Sequence, residues 1–191
     1  MKMPFPDNSF DRIYSIEATC HAPTLEGVYS EIYRVLKPGG TYATYEWLLD
    51  DRYDAQNPHH RQISYDIEVG DGIPLLVKKS VAIKAFKDVG FELIHDEDLA
   101  DKDDDIPWYY PLAGELKHVR SLADLLKVGL MTHPARYLSH GLLGLLGFLR
   151  LAPPDAMKTA DALGIAADAL VSGGKEKLFT PMQLYVARKP E

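Results

Sequence analysis

Residues 10–49, FDRIYSIEATCHAPTLEGVYSEIYRVLKPGGTYATYEWLL, change hydrophobic period twice, and those two changes decide the fold. FDRIYSIEA (10–18) is rich in β-branched and aromatic residues and follows the turn formers PDNS, which predicts a strand. From Thr24 onward Leu25, Val28, Tyr29, Ile32 and Leu36 recur at helical spacing, and KPGG (37–40) is the expected stop. TYATYEWLL (41–49) is a nearly continuous apolar and aromatic run, the pattern of a strand covered on both faces. Strand, helix and strand make a βαβ unit with a right-handed crossover.

The rest of the chain extends that unit. Residues 50–74 are polar and hold Pro58, Gly70, Gly72 and Pro74, as expected of a helix flanked by loops. Ser80 suits the N-cap of VAIKAFKDV, with Gly90 as its C-terminal stop. FELIHDEDL (91–99) predicts another strand, and PMQLYVARK (181–189) a closing strand with Met182, Leu184 and Val186 on one face. The order is that of an α/β protein with a late hairpin and a long insert over 106–180. In that insert IPWYYPL (106–112) sets three rings between two prolines, and LADLLKVGLM and YLSHGLLGLLGFLRL read as apolar helices. Gly141, Gly144 and Gly147 fall every third residue, a spacing that lets a backbone or a flat ligand approach. The second of these helices suits a buried core or oligomer interface, or else a lipid-lined pocket or membrane-contact surface.

Composition narrows the function. A net charge of −7 argues against a nucleic-acid partner, and one cysteine excludes an internal disulfide. No run reaches the roughly 20 apolar residues that cross a bilayer. Ligands of open α/β sheets bind at the carboxyl ends of the strands. Glu17 falls there, with Cys20 and His21 just beyond, and Glu46 and Trp47 toward the end of the next strand. Two carboxylates, an imidazole and an indole at one rim can hold a cation. A thiol nucleophile is not expected, since no third group orients a Cys20–His21 pair. Nor is a metal site expected from His59, His60 and the DKDDD run (101–105), which reads as a solvated loop. Without further context, a structural role for Glu17 and His21 stands beside the catalytic one.

Several stretches carry a resemblance. FDRIYSIEA, EIYRVLKPGG and KAFKDVGFEL look like the second half of a class I S-adenosylmethionine-dependent methyltransferase. More narrowly, IEATCHAPTLEGVYSEIYRVLKPGG, YEW, NPHHR, GDGIP, DLAD, IPWYYPL, KLFTPM and VARKP resemble the sterol C24-methyltransferase family over essentially the whole chain. The resemblance implies methyl transfer from S-adenosylmethionine to the side-chain alkene of a sterol such as zymosterol or cycloartenol, in ergosterol or phytosterol synthesis. It implies Glu17 and Glu46 as stabilisers of the side-chain cation and His21 as the base. Trp47, Asp71, Trp108, Tyr109 and Tyr110 become substrate contacts, and Ile16 and Ala18 cofactor contacts. It also implies a partial methyltransferase domain over 1–105, comprising the fourth strand onward of a seven-stranded Rossmann-like sheet. A helical sterol-methyltransferase C-terminal region follows over 106–191. A homo-oligomer and a place at the cytoplasmic side of the endoplasmic reticulum or the lipid-droplet periphery come with the family. One departure stands out: no G-x-G-x-x-G occurs in the 191 residues, and the glycine pairs at 39–40 and 173–174 read as turns. The family's main cofactor loop and its YEWGW-type stretch are expected upstream, so activity of this chain alone is doubtful. A non-catalytic sterol-binding or oligomerisation module is the alternative.

Overall fold

The computed structural model describes residues 2–101 and 106–191. Strand β1 (Phe10–Ile16) pairs in parallel with β2 (Leu36–Leu49), and helix α1 (Leu25–Val35) makes the crossover between them. Thr24, in extended conformation, caps α1 by accepting the Gly27 amide, and Leu25, Tyr29, Ile32 and Val35 form its buried stripe. Helix α1 ends at Val35, before KPGG. Leu36 is already extended, and Lys37–Gly40 belong to β2, where Gly39 takes φ 72° and the register to β1 slips between Phe10 and Arg12. Pro38 explains the early stop, because it forces Lys37 out of helical geometry.

Helices α2 (Pro58–Asp71) and α3 (Lys79–Val89) follow. Asn57 caps α2 with Pro58 in its first turn, and Gly72 and Gly90 end the two helices in the left-handed conformation. Lys78, not Ser80, is the N-cap of α3; the Ser80 hydroxyl instead donates to Asp51 Oδ1 at 2.5 Å. Strand β3 (Glu92–Asp98) and the closing strand β4 (Phe179–Arg188) complete a mixed sheet of order β1-β2-β4-β3, with β4 antiparallel to both neighbours.

Helices α1 and α3 lie together over one face of this sheet, where Tyr29, Tyr42, Phe86 and Tyr185 are wholly buried. Tyr29 stacks on Phe86 with centroids 4.2 Å apart, a pairing worth about 0.5–1.5 kcal/mol beyond the area buried. The buried face of β4 is Gln183, Tyr185 and Ala187, while Met182, Leu184 and Val186 point to the other side. That opposite face is more open: Tyr14 and Ile16 are exposed, and Ala43 and Tyr45 are half-buried. Strand β2 is therefore covered fully on one face only. Among the described residues β1 pairs with one strand, β2, and its other edge carries none.

Helices α4 (Leu122–Met131), α5 (His133–Phe148) and α6 (Ala156–Lys175) fill the insert. Helix α6 departs from the sequence expectation of a turn at Gly173–Gly174; both glycines are helical and buried. A Cβ on Gly70 would overlap the Ala166 Cβ, so α2 and α6 touch backbone to backbone there. Helix α5 contributes no buried residue. Gly141 and Gly147 face open space, and Gly144 lies near Met157. In the DKDDD run Asp101 pairs with Lys177 at 2.9 Å, and residues 102–105 lie outside the described residues.

Candidate functional site

At the end of β1 the chain turns out of the sheet at Glu17, whose φ of 50° is a conformation that costs a side-chain-bearing residue roughly 1–2 kcal/mol. The Glu17 amide still bonds Tyr45 O across to β2 (3.1 Å), while its side chain stands in solvent. A single 3₁₀ turn, Thr19–His21, follows. Its first residue points inward: the Thr19 hydroxyl donates to Glu46 Oε1, which also accepts from Tyr29 and Thr44, each at 3.0 Å. Glu46 is 0% exposed, and its second oxygen, Oε2, has no hydrogen-bond partner. Burial pushes its carboxyl up, and the three hydroxyls oppose that without cancelling it.

The last residue of the turn points outward. His21 Nδ1 lies 3.2 Å from Gly72 O. A carbonyl only accepts, so Nδ1 carries the hydrogen in the neutral ring and Nε2 keeps the free lone pair. Asp71, one residue earlier on α2, is raised by burial and lowered by the nearby His21 charge, and its Oδ2 is buried without a partner. Between these two ends sits Cys20. Its thiol is buried, donates to Glu17 O at 3.6 Å, and is pushed up to about 11 by burial and by the Glu46 and Glu17 charges. At neutral pH it is a protonated, inert thiol.

Trp47 follows Glu46 at an irregularity where the register of β2 on β4 slips between Glu46 and Leu48. That slip lets both residues line one cavity of about 30 Å³ with Cys20, Leu25, Leu75 and Val77. The indole also meets Phe179 edge-on at 5.4 Å, Phe179 meets Trp108 at 5.9 Å, and Trp108 meets Tyr109 at 5.6 Å. Ring edges of Trp108 and Tyr109 press on Gly174 of α6, where any side chain would overlap both rings. The glycine that admits rings is thus Gly174, and the rings are the chain's own. A second cavity of about 280 Å³ is lined by Trp108, Tyr109 and Phe179 together with Asp50, Arg52 and Asp98. Lys79 bridges Asp98 (2.7 Å) and Asp50 (3.3 Å). Burial pushes Asp50 up, but Arg52 and the Lys79 charge outweigh it and hold the carboxyl at about 2.

The expected residues thus fall into groups. His21 and Asp71 come together at the rim, and Trp47, Trp108 and Tyr109 join through Phe179. Glu17 and Glu46 do not share the rim: one is in solvent and the other lies wholly beneath the 3₁₀ turn. Tyr110 turns away to His118, 5.7 Å between rings. Ile16 and Ala18 stand exposed at the carboxyl end of β1. Sequence reasoning missed Thr19, Tyr29 and Thr44 around Glu46, and Asp50, Lys79 and Asp98 around the larger cavity. Position at strand ends was the available signal for Asp50 and Asp98; nothing in the sequence marked the hydroxyls. His59 and His60 have other partners, Glu176 at 2.8 Å and the Asp54 amide at 3.0 Å. Among the described residues no three His, Cys, Asp or Glu side chains are grouped to hold a metal.

Two family models match the chain, one described as a methyltransferase domain over residues 1–44 and one as sterol methyltransferase C-terminal over residues 126–191. The chain is 58% identical over 190 residues to a sterol 24-C-methyltransferase of Gibberella zeae, and 56% identical over 191 to that of Saccharomyces cerevisiae. Each alignment takes in all of this chain and 50% of the relative, so the chain spans about half the length of the curated relatives it matches. Among solved structures it is similar to geranyl diphosphate C-methyltransferase from Streptomyces coelicolor. That match has a TM-score of 0.61 and 15% identity, over 98% of this chain and 50% of that one. It is also similar to a Haemonchus contortus phosphoethanolamine N-methyltransferase, with a TM-score of 0.54 and 16% identity, over 98% of this chain and 35% of that one. These likenesses establish the fold: the four strands are part of a class I methyltransferase sheet.

Proposed function

We propose, from the premise that this chain belongs to the sterol 24-C-methyltransferase family, that it forms the sterol-facing and proton-handling part of such an enzyme. The reaction is methyl transfer to the C24 side-chain alkene of a sterol. The observation that carries the reading is the Thr19–His21 turn, which ties a buried acid to one side of itself and an oriented base to the other.

Of the cofactor's site the chain supplies one wall, the exposed Ile16 and Ala18 at the end of β1. S-adenosylmethionine, when bound, supplies an electrophilic methyl group. Methylation of the alkene leaves positive charge on the sterol side chain, which an apolar site must stabilise without giving it to water. Glu46 suits that role, because its Oε1 is fixed by three hydroxyls, its Oε2 has no hydrogen-bond partner, and Trp47 lines the same small cavity. Glu17 and Asp71 add negative potential at the rim. His21 suits the base, since its bond to Gly72 O leaves Nε2 free to take the proton. Trp108 and Tyr109, braced on Gly174, offer a rigid apolar wall to the ring system, while Tyr110, turned to His118, is the least placed of the three to touch it. A homo-oligomer at the cytoplasmic side of the endoplasmic reticulum or the lipid-droplet periphery completes the proposal.

The test is a chimera joining this chain to the remaining half of the Aspergillus fumigatus relative, which is 58% identical over the matched residues. His21→Ala in that chimera lowers turnover by roughly 10²–10⁴-fold, the usual worth of a general base, with sterol affinity within about twofold of the parent. Parental turnover would return His21 to a structural role.

A further inference from the structure

Glu46 is a wholly buried acid whose charge only hydroxyls support. Burial raises its carboxyl, the hydroxyls of Thr19, Tyr29 and Thr44 lower it, and among the described residues no cation shifts it. Other titratable groups face it from the neighbouring elements: Cys20 from the turn, Tyr29 from α1, Tyr42 from β2 itself and Tyr185 from β4. Burial pushes all four up, Tyr42 to about 12, so at neutral pH none of them brings a charge. Asp96 of β3 is occupied by the side-chain amide of Gln183 (2.7 Å), the register partner of Glu46 on β4. Helix α3 presents Phe86, which does not titrate.

The hydroxyls do not end at Thr44. Ser15 Oγ on β1 lies 2.6 Å from the hydroxyl of Thr44, its register partner on β2, and 2.6 Å from the hydroxyl of Tyr42. A hydroxyl has one hydrogen to give, which fixes the direction of this arm. While Thr44 donates to Glu46 Oε1 (3.0 Å) it accepts from Ser15, and Ser15 in turn accepts from Tyr42. Every hydrogen of the arm then points toward the carboxylate, and each bond polarises the next. A proton arriving on Glu46 finds no acceptor at Oε2 among the described residues. On Oε1 it must displace a donor, and turning Thr44 away reverses the whole arm, leaving the wholly buried Tyr42 to send its hydrogen elsewhere. The arrangement favours the carboxylate over the acid.

We propose that Ser15 and Tyr42 are positioning residues that act through Thr44 to hold Glu46 in its charged form. Neither bonds the carboxyl itself, and both work by fixing which way the Thr44 hydroxyl points. Their effect on turnover rests on the role proposed above for Glu46, whereas the relay needs neither cofactor nor sterol.

Difference infrared spectra of the 191-residue chain across pH test it, with the neutral-carboxyl band of Glu46 identified by its loss in Glu46→Gln. Thr44→Val should raise the midpoint of that band by about one pH unit or more, the worth of one hydrogen bond to a charged group. Ser15→Ala and Tyr42→Phe should each raise it by about 0.3 of a pH unit, the share that a polarising neighbour adds to such a bond. Ser15→Thr, which keeps the hydroxyl, should keep the parental midpoint. The double variant should match Ser15→Ala alone, because Tyr42 acts through Ser15. An unmoved midpoint in Ser15→Ala overturns the proposal, and so does a double variant in which the two effects add. Ser15 is half-buried, so its two variants keep the test independent of any loss of folding in Tyr42→Phe. In the Aspergillus fumigatus chimera the acid limb of kcat should move to higher pH with the band, at unchanged KM. A band that moves while the limb stays would keep the relay and remove Glu46 from the chemistry.

Discussion

The covered face of the sheet and the α4–α5 pair invert the order that hydropathy alone would give: α4 and α5 are the more apolar helices, and α1 and α3 are the ones that bury their stripes. On the sheet, Tyr29, Tyr42, Phe86 and Tyr185 close on one another under α1 and α3 and lose all contact with water. In α5, Leu138, Leu142, Leu145 and Phe148 all stand more than half exposed. The difference lies in the partner: α1 and α3 each present one apolar stripe to a strand face of matching register, whereas α5 turns Arg136 and His140 to Asp168 and Asp161 of α6 and leaves its leucines on the open side. Hydropathy states that a surface avoids water and leaves open what covers it.

The largest effect should follow from removing a ring on the covered face. Phe86→Ala, losing contacts with Tyr29, Tyr42, Phe91 and Tyr185, should cost about 3–5 kcal/mol in denaturant melts of the chain. Leu142→Asp on α5 should stay within about 0.5 kcal/mol of the parent. Equal losses would dissolve the contrast between the two regions.

A smaller effect separates Asp50 and Glu46 by sign. Asp50 is held at about 2, below its ordinary 3.8, so its contribution is present above 3.8 and lost as pH falls toward 2. Asp50 is partly solvated, so screening limits that contribution to about 1 kcal/mol. Glu46 is raised, so its contribution is present below its ordinary 4.5 and fades as pH rises through its folded value. Melting across pH should therefore show Asp50→Asn flattening the limb below pH 3.8 and Glu46→Gln flattening the limb above pH 4.5. The same slope in both variants would mean that neither environment is as described.

The βαβ unit, the α2 and α3 helices and the closing strand could be read from period and punctuation, because each follows from local rules. Three things could not. The inward face of β4 carries Gln183 beside Tyr185 and Ala187, against the apolar alternation of Met182, Leu184 and Val186, because burial followed the side that α1 and α3 cover. Helix α6 was hidden by Gly173–Gly174, whose smallness serves Trp108 and Tyr109 instead of a turn. For the candidate site, the end of β1 was readable because strand ends are where such sites form, which brought His21 into view; Asp71, at the end of α2, came only with the resemblance of GDGIP. The hydroxyl cradle of Glu46 draws Thr19, Tyr29 and Thr44 from a turn, a helix and a strand, and no local pattern joins them.

The central claim is that the Thr19–His21 turn couples a buried, cradled carboxyl to the reacting sterol side chain. Turnover of Glu46→Gln in the Aspergillus fumigatus chimera, at saturating sterol and with the melting temperature checked, tests it most directly. The substitution keeps the shape and the acceptor for the three hydroxyls and removes the capacity for negative charge, so turnover should fall at least about 100-fold with sterol affinity unchanged. Turnover within about twofold of the parent, in a chimera that melts normally, would make Glu46 a buried structural acid and contradict the account.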